Sequence, residues 1–277
     1  DGGDITPTVF TVTNQSGVAS LERFTICRAY VHAINKDGAG RLDIFSCQML
    51  TNGCANHNVN GRGFLCETAC DVTVSNCVFR GNTIGTDGLG NSSWNSGVTF
   101  FVSNVNLLMI DTDFIGNGIA PTATGGGGRE IYGSAIRYNN GTLDARRCRF
   151  IGNRNGCGGK FGGTVYVVRG LTRFANCLFL GNESLASTAA SCSSAAALVF
   201  NADNYSHQHS ISNCTFAYNL ANATDCSAAI ANVGTKTGNM VSVLVRNCIF
   251  LGNMVPTTCS VGSDICNEAA TGTGDVD

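Results

Sequence analysis

The stretch that decides the fold is Asn176-Cys-Leu-Phe-Leu-Gly-Asn182, because closely similar stretches occur five more times in the chain. All six copies have Phe at the fourth position and Asn at the seventh, and they begin at Asn76, Asp111, Arg147, Asn176, Asn213 and Asn247. Successive copies begin 35, 36, 29, 37 and 34 residues apart, and two weaker copies precede them around Cys27 and Cys47. Self-similarity at such a period is typical of a solenoid, a propeller or another repeat array.

The pattern around the motif favours a parallel β-helix among these repeat folds. No ten-residue window shows the 3.6-residue period of a helical repeat, and the hairpin turns of a propeller blade are missing. Val72–Val74 and Cys77–Phe79 alternate as strands on either side of a bend at Asn76, a residue type that tolerates the left-handed conformation. A further strand begins in each repeat at a run of small residues such as Gly133-Ser-Ala-Ile136.

We therefore predict an all-β chain that folds as a single parallel β-helix of about eight coils, with three short strands per coil. The helix should be right-handed, because crossovers between parallel strands nearly always are. Residues 21–254 form the β-helix in this prediction, between an N-terminal end segment at 1–20 and a C-terminal one at 255–277. Successive coils should stack about 4.8 Å apart, so that the phenylalanines of the motif form one column inside the solenoid, the internal file. Its members are Phe79, Phe114, Phe150, Phe179, Phe216 and Phe250.

The two repeated elements also resemble those of a known group of proteins. Phe-x-x-Asn paired with a Gly-Gly-Ala-Ile-like element resembles the repeats of chlamydial polymorphic outer-membrane proteins and related β-helix surface proteins, within the broad pectin-lyase-like superfamily. The resemblance covers roughly residues 41–254, and Asn95-Ser-Gly-Val98 is the poorest copy of the second element. It implies a right-handed β-helix, whereas repeats of this kind hardly specify a function.

Fifteen cysteines indicate an oxidising compartment, where disulfides persist; buried free thiols are the alternative. Repeat cysteines are followed by a second cysteine in the loop before the next coil, and the repeat in which Thr112 replaces Cys lacks the loop cysteine too. Cys77 is the exception and is left with Cys27, Cys66, Cys70 and Cys266, so that one cysteine must stay odd or pair between molecules. We predict that the disulfides staple the coils through the pairs Cys47–Cys54, Cys148–Cys157, Cys177–Cys192, Cys214–Cys226 and Cys248–Cys259. Cys66 and Cys70 with His57 allow a zinc site, but the spacing is poor and a disulfide explains the cysteines better.

Secretion, glycosylation and partners are predicted from composition and short motifs. The prediction is an extracellular or cell-surface glycoprotein, with candidate glycosylated asparagines at Asn14, Asn91, Asn140, Asn204 and Asn222. A net charge of −2 gives no electrostatic reason to bind nucleic acid, and no apolar run approaches the length of a membrane span. The expected partners are further copies of the chain or extracellular glycans.

An enzymatic function was tested against the residues that such chemistry requires. The resemblance to polysaccharide lyases and hydrolases would imply acidic or histidine motifs, and none of the galacturonan-hydrolase motifs is present. Asp111 and Asp113 form the best acidic cluster, but the next coil places Arg147 and Arg149 beside them, so cross-coil ion pairs explain all four residues. His207 and His209 are interpreted as a surface-loop pair. We predict no catalytic residues, metal or cofactor; a polysaccharide lyase or hydrolase is the less favoured alternative.

Two non-enzymatic functions remain: a self-assembling subunit of a filament, sheath or surface layer, or an adhesin or glycan-binding module of a larger surface protein. Thr8–Val12 reads as a strand at one end, and the other end lacks a helical cap, which favours assembly. Apolar residues should also point outward beside the phenylalanines and form a stripe that needs cover: Ile151, Leu178, Leu180, Ile249 and Leu251.

Overall fold

The structure is a computed structural model, and it describes residues 8–29, 31–53, 63–84, 94–96, 98–119, 130–156, 162–185, 195–201, 207–221, 227–234, 241–255 and 264–269. These residues form strands joined by short bends and contain no helix. Neighbouring strands pair in parallel, and the chain winds as a right-handed β-solenoid, as predicted. Strands are numbered in chain order below.

The largest sheet has 14 strands and covers two adjoining faces of the solenoid. Its members are β1 (Thr8–Val12), β2 (Val18–Glu22), β4 (His32–Lys36), β5 (Arg41–Phe45), β7 (Phe64–Cys66), β8 (Cys70–Ser75), β12 (Phe100–Ile110), β16 (Ile136–Arg146), β19 (Val165–Ala175), β22 (Leu198–Asn201), β23 (His207–Ser212), β26 (Ile230–Gly234), β27 (Val241–Arg246) and β29 (Ile265–Ala269). In the middle coils a single long strand replaces two short ones and bends at a residue with positive φ, as at Gly141 (107°) and Gly170 (97°). The strands predicted to start at Ile136 and at Thr8 are confirmed.

A second sheet of eight strands carries the repeated motif. Its members are β3 (Thr25–Cys27), β6 (Gln48–Leu50), β9 (Val78–Arg80), β13 (Asp113–Ile115), β17 (Arg149–Ile151), β20 (Leu178–Leu180), β24 (Thr215–Ala217) and β28 (Ile249–Leu251). A third sheet has five strands, β10 (Thr83–Ile84), β14 (Gly118–Ile119), β18 (Arg154–Gly156), β21 (Glu183–Leu185) and β25 (Leu220–Ala221). A separate pair consists of β11 (Trp94–Ser96) and β15 (Glu130–Tyr132).

The prediction of eight complete coils is wrong. Five successive coils carry a strand of the third sheet, so the solenoid has about five complete turns, although the second sheet extends over eight strands. The coils at the two ends contribute no strand to the third sheet within the described residues. At the same ends, β1 pairs with β4 and β29 pairs with β26, so strands of both end segments continue the largest sheet.

Residues in the left-handed backbone conformation, with positive φ, form the corners on either side of the second sheet. The corner before it was predicted at Asn76 and its equivalents, and Asn76 and Asn176 have φ of 53° and 55° there. At the corner after it, the left-handed residue is the Gly that precedes the motif's last Asn, as in Gly181 with φ 61°. Tyr218 takes this place in one coil, with φ 53°. The last Asn of the motif does not make this corner. Its side chain is buried and bonds between coils, as described below.

The predicted file of phenylalanines is confirmed. Rings of successive coils stack with centroids 4.7–5.2 Å apart and interplanar angles of 3–11°, from Phe79 through Phe250. Five of the six side chains are fully buried, and Phe250 is partly buried. Because these six coils present the same ring at the same place, the file fixes their register.

A second internal file consists of asparagine side chains that hydrogen bond from coil to coil. The Oδ1 atom of Asn153 accepts from the backbone N–H and from Nδ2 of Asn117, both at 3.0 Å. Its Nδ2 donates to the Phe114 carbonyl and to Oδ1 of Asn182, again at 3.0 Å. The same bonds repeat along the buried ladder: Asn52, Asn82, Asn117, Asn153, Asn182, Asn219 and Asn253. The ladder satisfies backbone groups at a corner that the sheets leave unpaired.

Candidate functional site

The five apolar residues predicted to form a stripe lie together on the outside of the second sheet. Ile151, Leu180 and Leu251 belong to one cross-coil row, with Ala217 between the two leucines. Leu178 and Ile249 belong to a neighbouring row, with Thr215 between them. Two rows two residues apart along the strand put these side chains on one surface. Sequence reasoning therefore gave the correct placement, although the structure does not test whether they form an interface.

The structure adds one residue, Tyr218, to this surface. Tyr218 is 57% exposed, beside Ile249 at 60% and Leu251 at 52%. The ring of Tyr218 lies across Gly252 of the next coil, where a Cβ atom would come within 2.8 Å of it. Met254 is also exposed, but it lies beyond this corner and pairs with Leu220 of the third sheet. Six residues thus define what we call the apolar patch: Ile151, Leu178, Leu180, Tyr218, Ile249 and Leu251. Tyr218 was visible in the sequence as the only replacement of the Gly that precedes the last Asn of the motif.

The acidic cluster beside the patch is engaged in ion pairs, as predicted. Arg147 contacts Asp111 through two hydrogen bonds, Nε to Oδ1 at 2.7 Å and Nη2 to Oδ2 at 2.9 Å. Arg149 makes the same two-pronged contact with Asp113, with Nε 2.6 Å from Oδ1. The bond from Arg147 holds the pKa of the Asp111 carboxyl below its usual range. A carboxylate held in this way is a poor general acid, so the cluster is better described as a polar rim of the patch.

A groove of about 620 Å³ lies on the outside of the largest sheet, across β16, β19, β23 and β27. Its lining mixes polar and apolar side chains and includes Asp144, Leu171, Arg173, Gln208 and Arg246. Arg146 Nε donates to Asp144 Oδ1 at 3.0 Å, and Leu171 is 55% exposed. Sequence reasoning missed this groove, because its residues come from four coils and share no motif. Only the parallel register brings them together.

The interpretation of His207 and His209 as a surface-loop pair is wrong. Both residues lie on β23, and His209 points into the core with an exposed fraction of 4%. Its ring stacks on Phe200 with centroids 4.4 Å apart, and its Nδ1 is 2.9 Å from Thr172 Oγ1. Burial lowers the pKa of His209 to about 3, so the ring is neutral at physiological pH. Alternation along the strand explains the error, because residues two apart face the same side and this side is the core.

The repeat cysteines form a third internal file. Cys77 and Cys177 are almost fully buried, and each sulfur donates to the carbonyl of the residue two positions earlier. Thr112 does the same in its coil, with Oγ1 2.9 Å from the Ile110 carbonyl. Burial raises the pKa of Cys77 to about 11, and the neighbouring Cys148 thiol together with burial raises that of Cys177 to about 12. A small side chain that can donate a hydrogen bond therefore explains this position without a disulfide.

None of the described cysteines is bonded to another described cysteine. The predicted partners all lie outside the described residues: Cys54, Cys157, Cys192, Cys226 and Cys259. The five pairings therefore stay predictions.

The candidate glycosylation sites differ in how the structure describes them. Asn140 is exposed, and its Nδ2 donates to Asn104 Oδ1 at 2.9 Å. Asn14 is half-buried, and its Nδ2 donates to the Arg41 carbonyl at 3.1 Å, so a glycan there would displace a bond between coils. The other three candidates lie outside the described residues: Asn91, Asn204 and Asn222.

The described residues contain neither a metal-binding cluster nor a membrane-spanning helix. No group of three or more His, Cys, Asp or Glu side chains in the described ranges is arranged to hold a metal ion. Across the same ranges, no helix has the length and apolar character needed to cross a bilayer.

Comparison of the chain with known protein families, with curated proteins and with solved structures finds no match. The fold is therefore established from the structure itself, and the resemblance to chlamydial surface-protein repeats stays a prediction.

Proposed function

We propose that this chain is a non-enzymatic structural protein that assembles with copies of itself through the apolar patch. The observation that supports the proposal is the concentration of exposed apolar side chains on one part of the second sheet. Of the eight large apolar side chains exposed in the described residues, Tyr218, Ile249 and Leu251 share this single surface. Exposed apolar surface of this kind is removed from water when it is covered, which favours association.

The patch has the arrangement of an interface centre surrounded by a polar rim. The row of Leu178 ends at the Asp113–Arg149 ion pair, whereas the row of Ile151 continues to Ile115. Protein interfaces commonly have an apolar centre depleted of charge and a polar rim that stays wet. Each fully covered Leu or Ile side chain would contribute about 1.5–3 kcal/mol relative to its exposed state. Several such residues supply enough free energy to hold a moderately stable contact.

A second copy of the chain fits this surface better than a charged partner does. The net charge is −2 and only 13% of residues are charged, so copies repel each other little. The surface of each copy also repeats with the spacing of the coils, about 4.8 Å, so ridges of one copy can match grooves of another. A rigid rod built from stacked coils is suited to form a filament, sheath or surface layer.

The proposal also covers the location of the protein and the disulfides that stabilise it. We place the protein outside the cell or on its surface, in line with its fifteen cysteines and with sequons such as that of the exposed Asn140. The loop disulfides and the relation to β-helix surface proteins of the pectin-lyase-like superfamily belong to this proposal. The paired state of Asp111 and Asp113 supports its non-enzymatic part.

Changing Leu180 and Leu251 together to Glu tests the assembly. We expect the double variant to lose self-association, with the dissociation constant raised at least about 100-fold, because two charges would have to be buried in an apolar contact. Both side chains point outward, so the coils should remain folded. Sedimentation velocity over a range of concentrations measures the association, and circular dichroism checks the fold.

The matched control changes Leu171 and Leu244 to Glu, because both leucines line the groove outside the patch. This variant should associate like the wild-type chain. If the patch variant associates normally, or if the control alone abolishes association, the patch is not the interface.

A glycan-binding module is the second candidate function, and the groove is the observation that favours it. Arg173, Gln208 and Arg246 are suitable hydrogen-bond donors for the hydroxyl or acidic groups of a polysaccharide. The described lining lacks the aromatic ring on which sugars commonly stack, so we rank this function second. A wild-type chain that stays monomeric at high concentration would favour the glycan-binding function over assembly.

A further inference from the structure

Two cysteines and one lysine meet in the interior at the bend between β7 and β8. The sulfur atoms of Cys66 and Cys70 are 3.2 Å apart. Cys66 has no exposed surface, and Cys70 is 8% exposed. Closing this separation to the 2.05 Å of a disulfide requires the two sulfurs to move together by about 1 Å. The Cys66 sulfur also donates to the Thr68 carbonyl at 3.4 Å, but the contact between two thiols of the same coil distinguishes this pair from the repeat cysteines.

The lysine is Lys36, which is paired in register with Cys66 and is only 1% exposed. Its Nζ donates to the carbonyl of Gly38 and lies 3.4 Å from that of Asn14. Among the described residues it forms no ion pair with a carboxylate. A buried ammonium group is costly unless an opposite charge lies near it. The charge of Lys36 acts on the thiols of both Cys66 and Cys70, either of which becomes an anion when it loses its proton.

We propose that Cys66 and Cys70 form an exchange-active dithiol–disulfide pair that reacts with small-molecule disulfides and is tuned by Lys36. Cys70 is the attacking thiol, because it is the more exposed of the two. Cys66 is the resolving thiol, because it lies behind Cys70 at contact distance.

The reaction consists of two exchange steps. The thiolate of Cys70 attacks one sulfur of the small disulfide, forms a mixed disulfide and releases one small thiolate. Cys66 then attacks the sulfur of Cys70, the Cys66–Cys70 bond forms, and the second small thiolate leaves with the proton of Cys66. The two protein thiols are oxidised, and the small disulfide is reduced to two thiols.

The surroundings of the pair support this assignment of roles. A hydrogen bond from the Cys66 thiol lowers the pKa of Cys70, and the charge of Lys36 lowers it further, whereas burial and Asp71 act in the opposite direction. The hydrogen bond to Cys70 and burial raise the pKa of Cys66. Such a division into a low-pKa and a high-pKa thiol is typical of exchange-active pairs rather than of structural ones.

Lys36 also determines which form of the pair is favoured. Its positive charge stabilises a thiolate, which exists only in the reduced form, and it loses that partner when the disulfide closes. A stabilised reduced form makes a disulfide more oxidising and more easily reduced. The Cys66–Cys70 bond should therefore open under milder conditions than a disulfide without a neighbouring cation.

The test equilibrates the folded chain with mixtures of oxidised and reduced glutathione, followed by acid quench and alkylation. Trypsin cleaves after Arg62, and a protease specific for aspartate cleaves before Asp71, so residues 63–70 are released with only these two cysteines. Mass spectrometry then gives the fraction of the Cys66–Cys70 bond. We expect this bond to form reversibly, and Cys70 to be alkylated before Cys66 in the reduced chain.

Lys36→Met should shift the equilibrium toward the disulfide at every glutathione ratio. It should also slow alkylation of Cys70 by roughly threefold for each unit by which its pKa rises. Arg41→Met is the control, because it removes an exposed charge from the next strand and should leave both readouts unchanged; circular dichroism confirms that the variants fold. Lys36→Gln is a second variant if Lys36→Met does not fold.

Three results would overturn the proposal. The first is a pair that stays reduced at every glutathione ratio, and the second is a bond from Cys66 or Cys70 to any other cysteine. The third is a folded Lys36 variant that matches the wild-type chain in both equilibrium and rate.

Discussion

Replacing Phe150 with Ala is expected to lower the free energy of unfolding by about 4–6 kcal/mol. Removal of a buried Phe side chain costs about 3–5 kcal/mol through lost transfer energy and the cavity that remains. Phe150 also stacks on Phe114 at 5.1 Å and on Phe179 at 4.7 Å, and aromatic pairs contribute about 0.5–1.5 kcal/mol each beyond their buried area. Urea unfolding followed by circular dichroism measures the change.

Phe150→Leu is the matched control, because it keeps an apolar side chain of similar reach in the file. We expect it to cost about 1–2 kcal/mol, since a cavity remains but most apolar contacts survive. Phe24→Ala is a second control, because Phe24 is 45% exposed. Equal effects of Phe150→Ala and Phe24→Ala would contradict the internal file.

Replacing Asn153 with Ala is expected to cost about 3–5 kcal/mol. The side chain has no exposed surface and makes four hydrogen bonds of 3.0 Å to neighbouring coils. Its loss leaves the backbone N–H of Asn117 without this acceptor and the Phe114 carbonyl without this donor. A buried polar group that loses its partner costs about 1–3 kcal/mol. Urea unfolding and hydrogen exchange of the neighbouring coils measure the effect.

Asn106→Ala is the matched control, because Asn106 also bonds from coil to coil but does so on the exposed surface. Its Nδ2 donates to Asp71 at 2.9 Å, and its Oδ1 accepts from Thr142 at 3.0 Å. Water can replace these partners, so the expected cost is below about 1 kcal/mol. If Asn153→Ala is as mild as Asn106→Ala, the buried ladder does not stabilise the solenoid.

Much of the fold could be predicted from the repeat alone. Phe79 and its equivalents recur at a fixed position, and stacking of identical coils puts identical positions on top of one another. The left-handed bend at Asn76 was predictable from the apolar residues on either side of it. Before the bend these residues fall on even-numbered positions, Val72 and Val74, and after it on odd-numbered positions, Cys77 and Phe79. The number of complete turns was not predictable, because the motif marks the second sheet and carries no information about the length of the third.

The asparagine ladder could have been found from the sequence but was missed. Asn182 and its equivalents follow Phe by three residues in every copy, a regularity that a corner residue alone would not need. Gly181 makes the corner, which leaves the Asn free to bond inward. Buried hydrogen bonding between coils explains this regularity.

The candidate surfaces were predictable only where they follow the motif. Leu180 and Leu251 lie one position after Phe in their copies, so their outward direction and shared row followed from alternation. The groove around Arg173 and the Cys66–Cys70 pair beside Lys36 depend on bends and loop lengths that differ between coils. Such contacts between unlike positions can be found only when the register of the coils is known.

Hydrogen–deuterium exchange of the wild-type chain at low and at high concentration locates the surface that assembly covers. We predict slower exchange at high concentration in β24 and β28 and around Tyr218, with unchanged exchange in the groove strands β19 and β23. Concentration-dependent protection confined to the groove strands would contradict this prediction, as would the absence of any protection in β24 and β28.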